Sequence, residues 1–450
     1  MSKELIQNLR KAPGCCIPHT FFGLPEYSNW REEQMSSKEA VCIGNWSFVI
    51  KAVIKGPGAL ELLKGFSVNS LEKFDVGQGK HLINCNEDGK VISQGMVLRL
   101  GEEEFYMNGL PCFWIGYQIS LGKHKNVTFK IEDKGDTSFY QVAGPNSIYL
   151  LEEVAKESLR DIKFLRFRNI KIGGRDVRAI NGLTMAGEIG FELQFPTAYY
   201  RDVYDTIIEA GQKYGIRELG YRSHNINHLE ACVPTTSLHY LPAVFGDDMA
   251  GFRRYMSTYA IAGNWMKQFK INGSFEGNEA SDYYRSPVEM GWIRNIKFDH
   301  EFVGRNALEA EVAKPTRTVV TLEFNGEDVI DVYASYFTQG EPYEFMDIPQ
   351  QYQQHTRTDA VSKDGKVIGV STGPGYSFYF RKMLSLAYLD INYTKPGTNV
   401  EILWGDPGTR QKAIRATVAP APYKKDKRKT DLTALPEKLV LSNSSYAVSG

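Results

Sequence analysis

The sequence lacks the features that announce the commonest functions. Of its 450 residues only six are cysteine: Cys15, Cys16, Cys42, Cys85, Cys112 and Cys232. None forms a C-x-x-C pair, so neither a zinc site nor a disulfide framework is indicated. A reduced, cytoplasmic setting is expected. Net charge is also missing. The 53 basic and 53 acidic residues cancel, which leaves no global field to attract nucleic acid or an anionic membrane. No uncharged apolar run reaches membrane-spanning length. The start, Met1-Ser2-Lys3-Glu4-Leu5, carries charge where a signal peptide needs apolar residues. There is no G-x-G-x-x-G, P-loop, H-E-x-x-H or G-x-S-x-G segment, which removes the usual nucleotide, zinc-peptidase and serine-hydrolase routes. Gly373-Pro374-Gly375 reads as a turn, because proline takes away a donor that a phosphate cradle needs. No metal is expected: His224 and His228 have ligand spacing, but the sequence nominates no third ligand.

What is present is the composition of a soluble globular protein, 42% hydrophobic and 24% charged, long enough for two or three domains, and its helices and strands read as an α+β fold. Residues 1–26 carry Pro13, Gly14, Pro18, Gly23 and Pro25 and read as an irregular lead-in. A helix is expected from Trp30, capped by Ser28 or Asn29. Strands are expected within Val41–Ile54, at Val91–Leu100 and Glu104–Met107, and at Ser138–Ala143. Pro111–Leu121, Pro145–Val154 and Ala198–Tyr214 read as helices. Residues 27–310 form the main region, with an insert at about 65–135. From 311 to 423 the chain turns β-rich, with strands expected at Val319–Phe324, Val329–Tyr333, Val367–Ser371, Leu384–Leu389, Val400–Trp404 and Ala413–Val418. Short strands separated by turn signals predict a small antiparallel barrel. Residues 424–450 open with a basic run and read as a solvated tail.

Two stretches invite chemistry. In Gly187-Glu188-Ile189-Gly190-Phe191-Glu192-Leu193, period-2 alternation puts Ile189, Phe191 and Leu193 on one face and Glu192 on the other. A carboxylate in so apolar a strand must be solvated, paired, or holding a ligand. An ion pair with Arg178 is the plainer alternative. In His224-Asn225-Ile226-Asn227-His228-Leu229-Glu230-Ala231, a helix would place both imidazoles on one side.

Gly187–Glu192, Leu229-Glu230-Ala231, the Lys297–Leu308 segment and Gly375-Tyr376-Ser377 occur in an order that resembles the glycine-cleavage T-protein (aminomethyltransferase) family. Pro25–Gln34, Asp282-Tyr283-Tyr284, Ile296–His300 and Ile402-Leu403-Trp404-Gly405 are similar to a branch of it, the tetrahydrofolate-dependent aromatic O-demethylases. The resemblance implies three domains around a central folate cavity, with the barrel last. It implies tetrahydrofolate as cofactor and a small methoxyaromatic as substrate, with neither nucleic acid nor membrane as partner. The oligomeric state stays open. Glu192, Gln94, Tyr221 and Trp292 become folate contacts, and Asn45, Trp46, Phe48, Leu110, His228 and Tyr240 become substrate contacts.

Departures from the branch carry information. His224 stands where the vanillate-type enzymes place a tyrosine that assists the leaving oxygen, so His224 is the candidate acid. His228, Tyr221 and Tyr240 are fallbacks. Leu110 and Phe48 replace an arginine and a histidine, which removes the partners of a substrate carboxylate and points to a neutral methoxyarene or a methylenedioxy ring. Gln94 replaces an aspartate and can hydrogen-bond but cannot take a proton. An aminomethyl, N-methyl or S-methyl donor is a second reading. A non-catalytic folate-binding accessory protein is a third, opposed by the lack of cysteine in Thr184-Met185-Ala186-Gly187-Glu188.

Overall fold

The computed structural model describes residues 3–11, 23–132, 135–267, 269–351 and 355–438. Pro13, Gly14, Pro18, Cys15, Cys16 and the Ser/Asn-rich end of the chain lie outside them. The fold is α+β, and the described residues form three sheets. The first has six strands in the order Ile216–Leu219, Val41–Asn45, Thr137–Ala143, Gly190–Pro196, Arg175–Asn181 and Phe167–Ile172. Its register sets Phe191 opposite Val142 and Leu193 opposite Tyr140. Those side chains pack with Ile148, Leu151, Val203 and Ile207 from the helices Ser147–Ala155 and Tyr200–Gly211. Alternation then turns Gln141 and Glu192, paired in the same register, to the other face.

That other face looks onto the second sheet, five antiparallel strands in the order Gln78–Cys85, Val91–Gly101, Glu104–Asn108, Lys51–Lys55 and Thr128–Glu132. Leu98 and Tyr106 of this sheet meet Cys42, Trp46, Phe139 and Leu219 in one buried cluster. The third sheet has seven strands: Arg317–Phe324, Thr356–Lys363, Lys366–Ser377, Lys382–Asp390, Asn399–Trp404 and Lys412–Ala419 form an antiparallel barrel, and the short strand Ile271–Asn272 pairs parallel to Thr356–Lys363. Pairing of Val361 with Ile402 and of Ser362 with Glu401 closes the barrel. No helix among the described residues is long and apolar enough to cross a membrane.

Several expectations hold at residue level. The first helix of the main region is Trp30–Glu39, with Asn29 accepting from the Glu32 amide. The alternating stretch through Ile189, Phe191 and Leu193 runs into the strand Gly190–Pro196, which lies antiparallel to Arg175–Asn181. Others need correction. The lead-in is not wholly irregular: Lys3–Lys11 is a helix, because Ile6 and Leu9, one turn apart, are both buried against the core. Val329–Tyr333 is not a strand but part of the helix Gly326–Ala334. Asn325 caps it through the Asp328 amide at 3.1 Å, and Val329 and Val332 bury at helical spacing. The tail is not a solvated arm over residues 424–438. Lys424 and Leu432 are buried, and Arg160 binds the Leu435 carbonyl at 2.6 Å.

Candidate active site

Glu192 lies in the middle of its strand and is 3% exposed. Its two oxygens accept from separate amides, Oε1 from Gln194 Nε2 at 2.8 Å and Oε2 from Gln141 Nε2 at 3.2 Å. Both amides are themselves locked. Gln194 Oε1 accepts from Arg178 at 3.0 Å, and Gln141 Oε1 accepts from the Met185 backbone amide at 3.1 Å. Arg178 therefore acts on Glu192 through Gln194 and not by an ion pair. Burial pushes the Glu192 carboxyl up to about 7, with the two amides and the charge of Lys51 pulling the other way. Each carboxylate oxygen keeps a lone pair for a further donor.

Lys51 is 2% exposed. Its Nζ donates to the Ser47 carbonyl at 2.6 Å and sits 4.7 Å from the Phe139 ring centroid. Burial lowers its pKa, opposed by Glu132 and Glu192. The same loop carries the aromatic wall. Trp46 N donates to the Phe139 carbonyl at 2.8 Å, and the ring folds back over Gly44, where a Cβ would lie 2.1 Å from it. Asn45 is spent on the loop itself, accepting from the Ser47 amide at 2.8 Å. Phe48 packs against the cluster that holds Trp46.

The Tyr221–Glu230 helix starts where Gly220 N donates to the buried Glu33 carboxylate at 2.8 Å. Tyr221 opens it and is buried. His224 stacks on Trp46 with centroids 4.3 Å apart and planes 19° apart. Its Nε2 lies 2.9 Å from the Leu219 carbonyl. A carbonyl only accepts, so Nε2 carries the proton and Nδ1 is the bare nitrogen. Burial drops the His224 pKa to about 4, so the ring is neutral near pH 7 rather than an imidazolium. One turn on, His228 Nδ1 pairs with Thr235 Oγ1 at 2.9 Å, and burial, with His224 and His239 nearby, takes its pKa to about 3. Thr235 N donates to His239 Nδ1 at 2.9 Å, and the Tyr240 hydroxyl pairs with Thr236 Oγ1 at 2.8 Å.

Gln94 and Trp292 meet through a residue that pattern reading missed. His81 Nε2 donates to Gln94 Oε1 at 2.9 Å, its Nδ1 faces Asn295 Nδ2 at 3.3 Å, and its ring stands edge-on to Trp292 at 5.0 Å. Burial holds the His81 pKa near 4. Leu110 packs against a different apolar cluster, the one around Phe113 and Trp114. The structure thus joins Trp46, Phe48 and His224, and separately Gln94 and Trp292, with His228 and Tyr240 around the Thr235–Thr236 turn. Gln141, Gln194, Lys51 and His81 have no sequence signature. Each is an ordinary residue in a strand, brought in by sheet register.

The chain is similar to known proteins in sequence and in fold. The GCVT N-terminal domain matches residues 10–239. The chain is 33% identical over 429 residues to a syringate O-demethylase of Sphingobium sp., covering 90% of this chain and 91% of that one. It is 34% identical over 414 residues to a sesamin methylene transferase of Sinomonas sp., covering 88% and 89%. Among solved structures, the glycine cleavage system aminomethyltransferase T of Bartonella henselae superposes with a TM-score of 0.65 at 15% identity, over 94% of this chain and 97% of that one.

Proposed function

The chain belongs to the GCVT, or aminomethyltransferase, family, and on that premise we propose that it is an O-demethylase moving a methyl group from a neutral aryl methyl ether to N5 of tetrahydrofolate. The products are 5-methyltetrahydrofolate and a phenol. The observation that carries the reading is Glu192, a buried carboxylate fixed by two locked amides on the face that looks toward Trp46 and His224. Such a carboxylate matches the adjacent N–H donors of a pterin ring, and a buried acceptor of this kind is costly unless something uses it. Gln94, oriented by His81, offers a second polar contact, with Trp292 beside it and Tyr221 as a further folate contact.

Bound tetrahydrofolate supplies the N5 lone pair that takes the methyl carbon. The protein's share is positioning, because the attacking nitrogen, the carbon and the ether oxygen must lie nearly in line. The Trp46–His224 stack and Phe48 give a flat apolar wall for an aryl ring, and Asn45 holds the loop that carries Trp46. His228, one turn beyond His224, and Tyr240 near it extend the proposed substrate side, whereas Leu110 packs with Phe113 and Trp114 away from this wall. His224 Nδ1, bare and neutral, is the atom that can take up the proton released at nitrogen and return it to the departing phenoxide. That single proton passes from nitrogen to the phenoxide without exchange with water, as the methyl group passes from oxygen to nitrogen, and the exchange balances. The four described cysteines are free, in keeping with a reduced cytoplasmic setting.

The test is incubation with tetrahydrofolate and a panel of methoxy- and methylenedioxyarenes, with and without carboxylate substituents. We expect 5-methyltetrahydrofolate from neutral methoxyarenes and much slower turnover of vanillate. Formation of 5,10-methylenetetrahydrofolate from the methylenedioxy compounds alone would reassign the donor to that class. No folate product from any donor would end the reading.

A further inference from the structure

The basic run Lys424-Lys425-Asp426-Lys427-Arg428-Lys429 follows the last barrel strand and returns to the folate side of the molecule. Lys424 is buried there. Its Nζ lies 2.7 Å from Glu188 Oε1 and donates to the Ala186 carbonyl at 3.0 Å. Lys427 adds a second cation 3.3 Å from the same carboxylate, and its backbone amide donates to the Gly187 carbonyl at 2.9 Å. The Lys424 amide donates to the Glu230 carbonyl at 2.9 Å, at the end of the helix that carries His224. Two residues of the return segment, Lys424 and Lys427, thus grip three consecutive residues of the turn before Glu192.

The grip has a route to the site. Met185, next in that turn, donates its amide to Gln141 Oε1, which fixes which way the Gln141 amide faces. Only in that orientation does Gln141 Nε2 point at Glu192 Oε2. We propose that Lys424 is a positioning residue for folate binding: by holding the Ala186–Glu188 turn, it fixes the Gln141 amide that orients Glu192. The proposal rests on the reading of Glu192 as the folate anchor. The groups that face Glu192 are Gln194 on its own strand, Gln141 on the adjoining strand and the Lys51 ammonium from the opposite sheet; Arg178 reaches it through Gln194. Around Lys424 the charges are Glu188, Glu230 and Lys38. If Met185 moves, Gln141 is free to turn its carbonyl toward Glu192. The ionised carboxylate then loses a donor, and folate capture requires a higher pH.

The experiment measures tetrahydrofolate affinity of the full chain from about pH 5.5 to about pH 9, with kcat at saturating folate and thermal stability measured alongside. Lys424→Met is expected to weaken binding roughly tenfold near neutral pH, the effect of losing one hydrogen bond to a charged group. Its pH midpoint for binding should rise, while kcat stays within about threefold of wild type. Lys424→Arg should keep the wild-type midpoint. Lys425→Met removes the same charge from an exposed neighbour and should change nothing. Where Lys424→Met does not fold, Glu188→Gln breaks the same grip from the other side and should move the midpoint the same way. Wild-type affinity and midpoint in Lys424→Met, or an equal effect from Lys425→Met, would overturn the positioning role. A wild-type chain that does not bind tetrahydrofolate would instead overturn the Glu192 reading beneath it.

Discussion

Glu192→Gln separates what the carboxylate costs the fold from what it does for function. In the folded chain the Glu192 carboxyl titrates at about 7 instead of 4.5, chiefly because burial disfavours its charge. Between those two values the folded state holds a proton that the unfolded state has released. Stability linked to this group is therefore fully present below pH 4.5 and is lost as pH rises through about 7. Moving the carboxyl from 4.5 to about 7 corresponds to ~3 kcal/mol. Glutamine has almost the same shape and cannot ionise. Its amide shares the mismatch of the protonated acid, since Gln141 and Gln194 both present donors and neither is free to flip. That mismatch is independent of pH and drops out of a comparison. Denaturant unfolding of wild type and Glu192→Gln at about pH 4.5 and about pH 8 should show the stability difference shifting in favour of the variant by ~3 kcal/mol as pH rises. The same variant should lose most of its tetrahydrofolate affinity at about pH 8, where the pterin donors need the ionised carboxylate. A stability difference that stays constant within about 0.5 kcal/mol across that range would refute the premise that burial outweighs the two amides and the charge of Lys51 at Glu192.

Two further substitutions test the aromatic wall and the proton route. His224→Phe keeps a ring against Trp46 but removes Nδ1; kcat should fall roughly 100-fold or more while tetrahydrofolate affinity stays within about threefold, and undiminished turnover in a stopped reaction assay would move the proton relay to another group. Gly44→Ala places a methyl group where Trp46 lies, 2.1 Å from its ring; it should cost about 1–3 kcal/mol in unfolding free energy and change the near-ultraviolet circular dichroism of the displaced indole.

The barrel, the main helices and the face of Glu192 could be read from the sequence because each is a local property. Alternation along Ile189–Leu193 decides which side chains share a face, and Asn29 before Trp30 decides where a helix starts. Local reading failed where two periods compete in a short run. Val329–Tyr333 satisfies a strand pattern and a helix pattern alike, and the Asn325 cap tipped it to helix. It failed again at the basic run from Lys424, since charge alone predicts solvation and only a buried counter-charge reverses it.

The same division holds for the site. The sequence by itself determined that Glu192 is a carboxylate on an apolar strand, that His224 opens toward one side of its helix, and that Phe48 and Leu110 offer no cation to an anionic substrate. Only the tertiary structure decided that Glu192 is held by Gln141 and Gln194, that His224 is a neutral ring whose bare nitrogen is Nδ1, and that Glu188 is met by Lys424 from the far end of the chain. The physical reason is range. Propensity, alternation and capping act within a turn or two of the residue concerned, whereas a pKa or a buried ion pair depends on what lies within a few ångströms in space, and the partners here come from strands and segments up to 238 residues away.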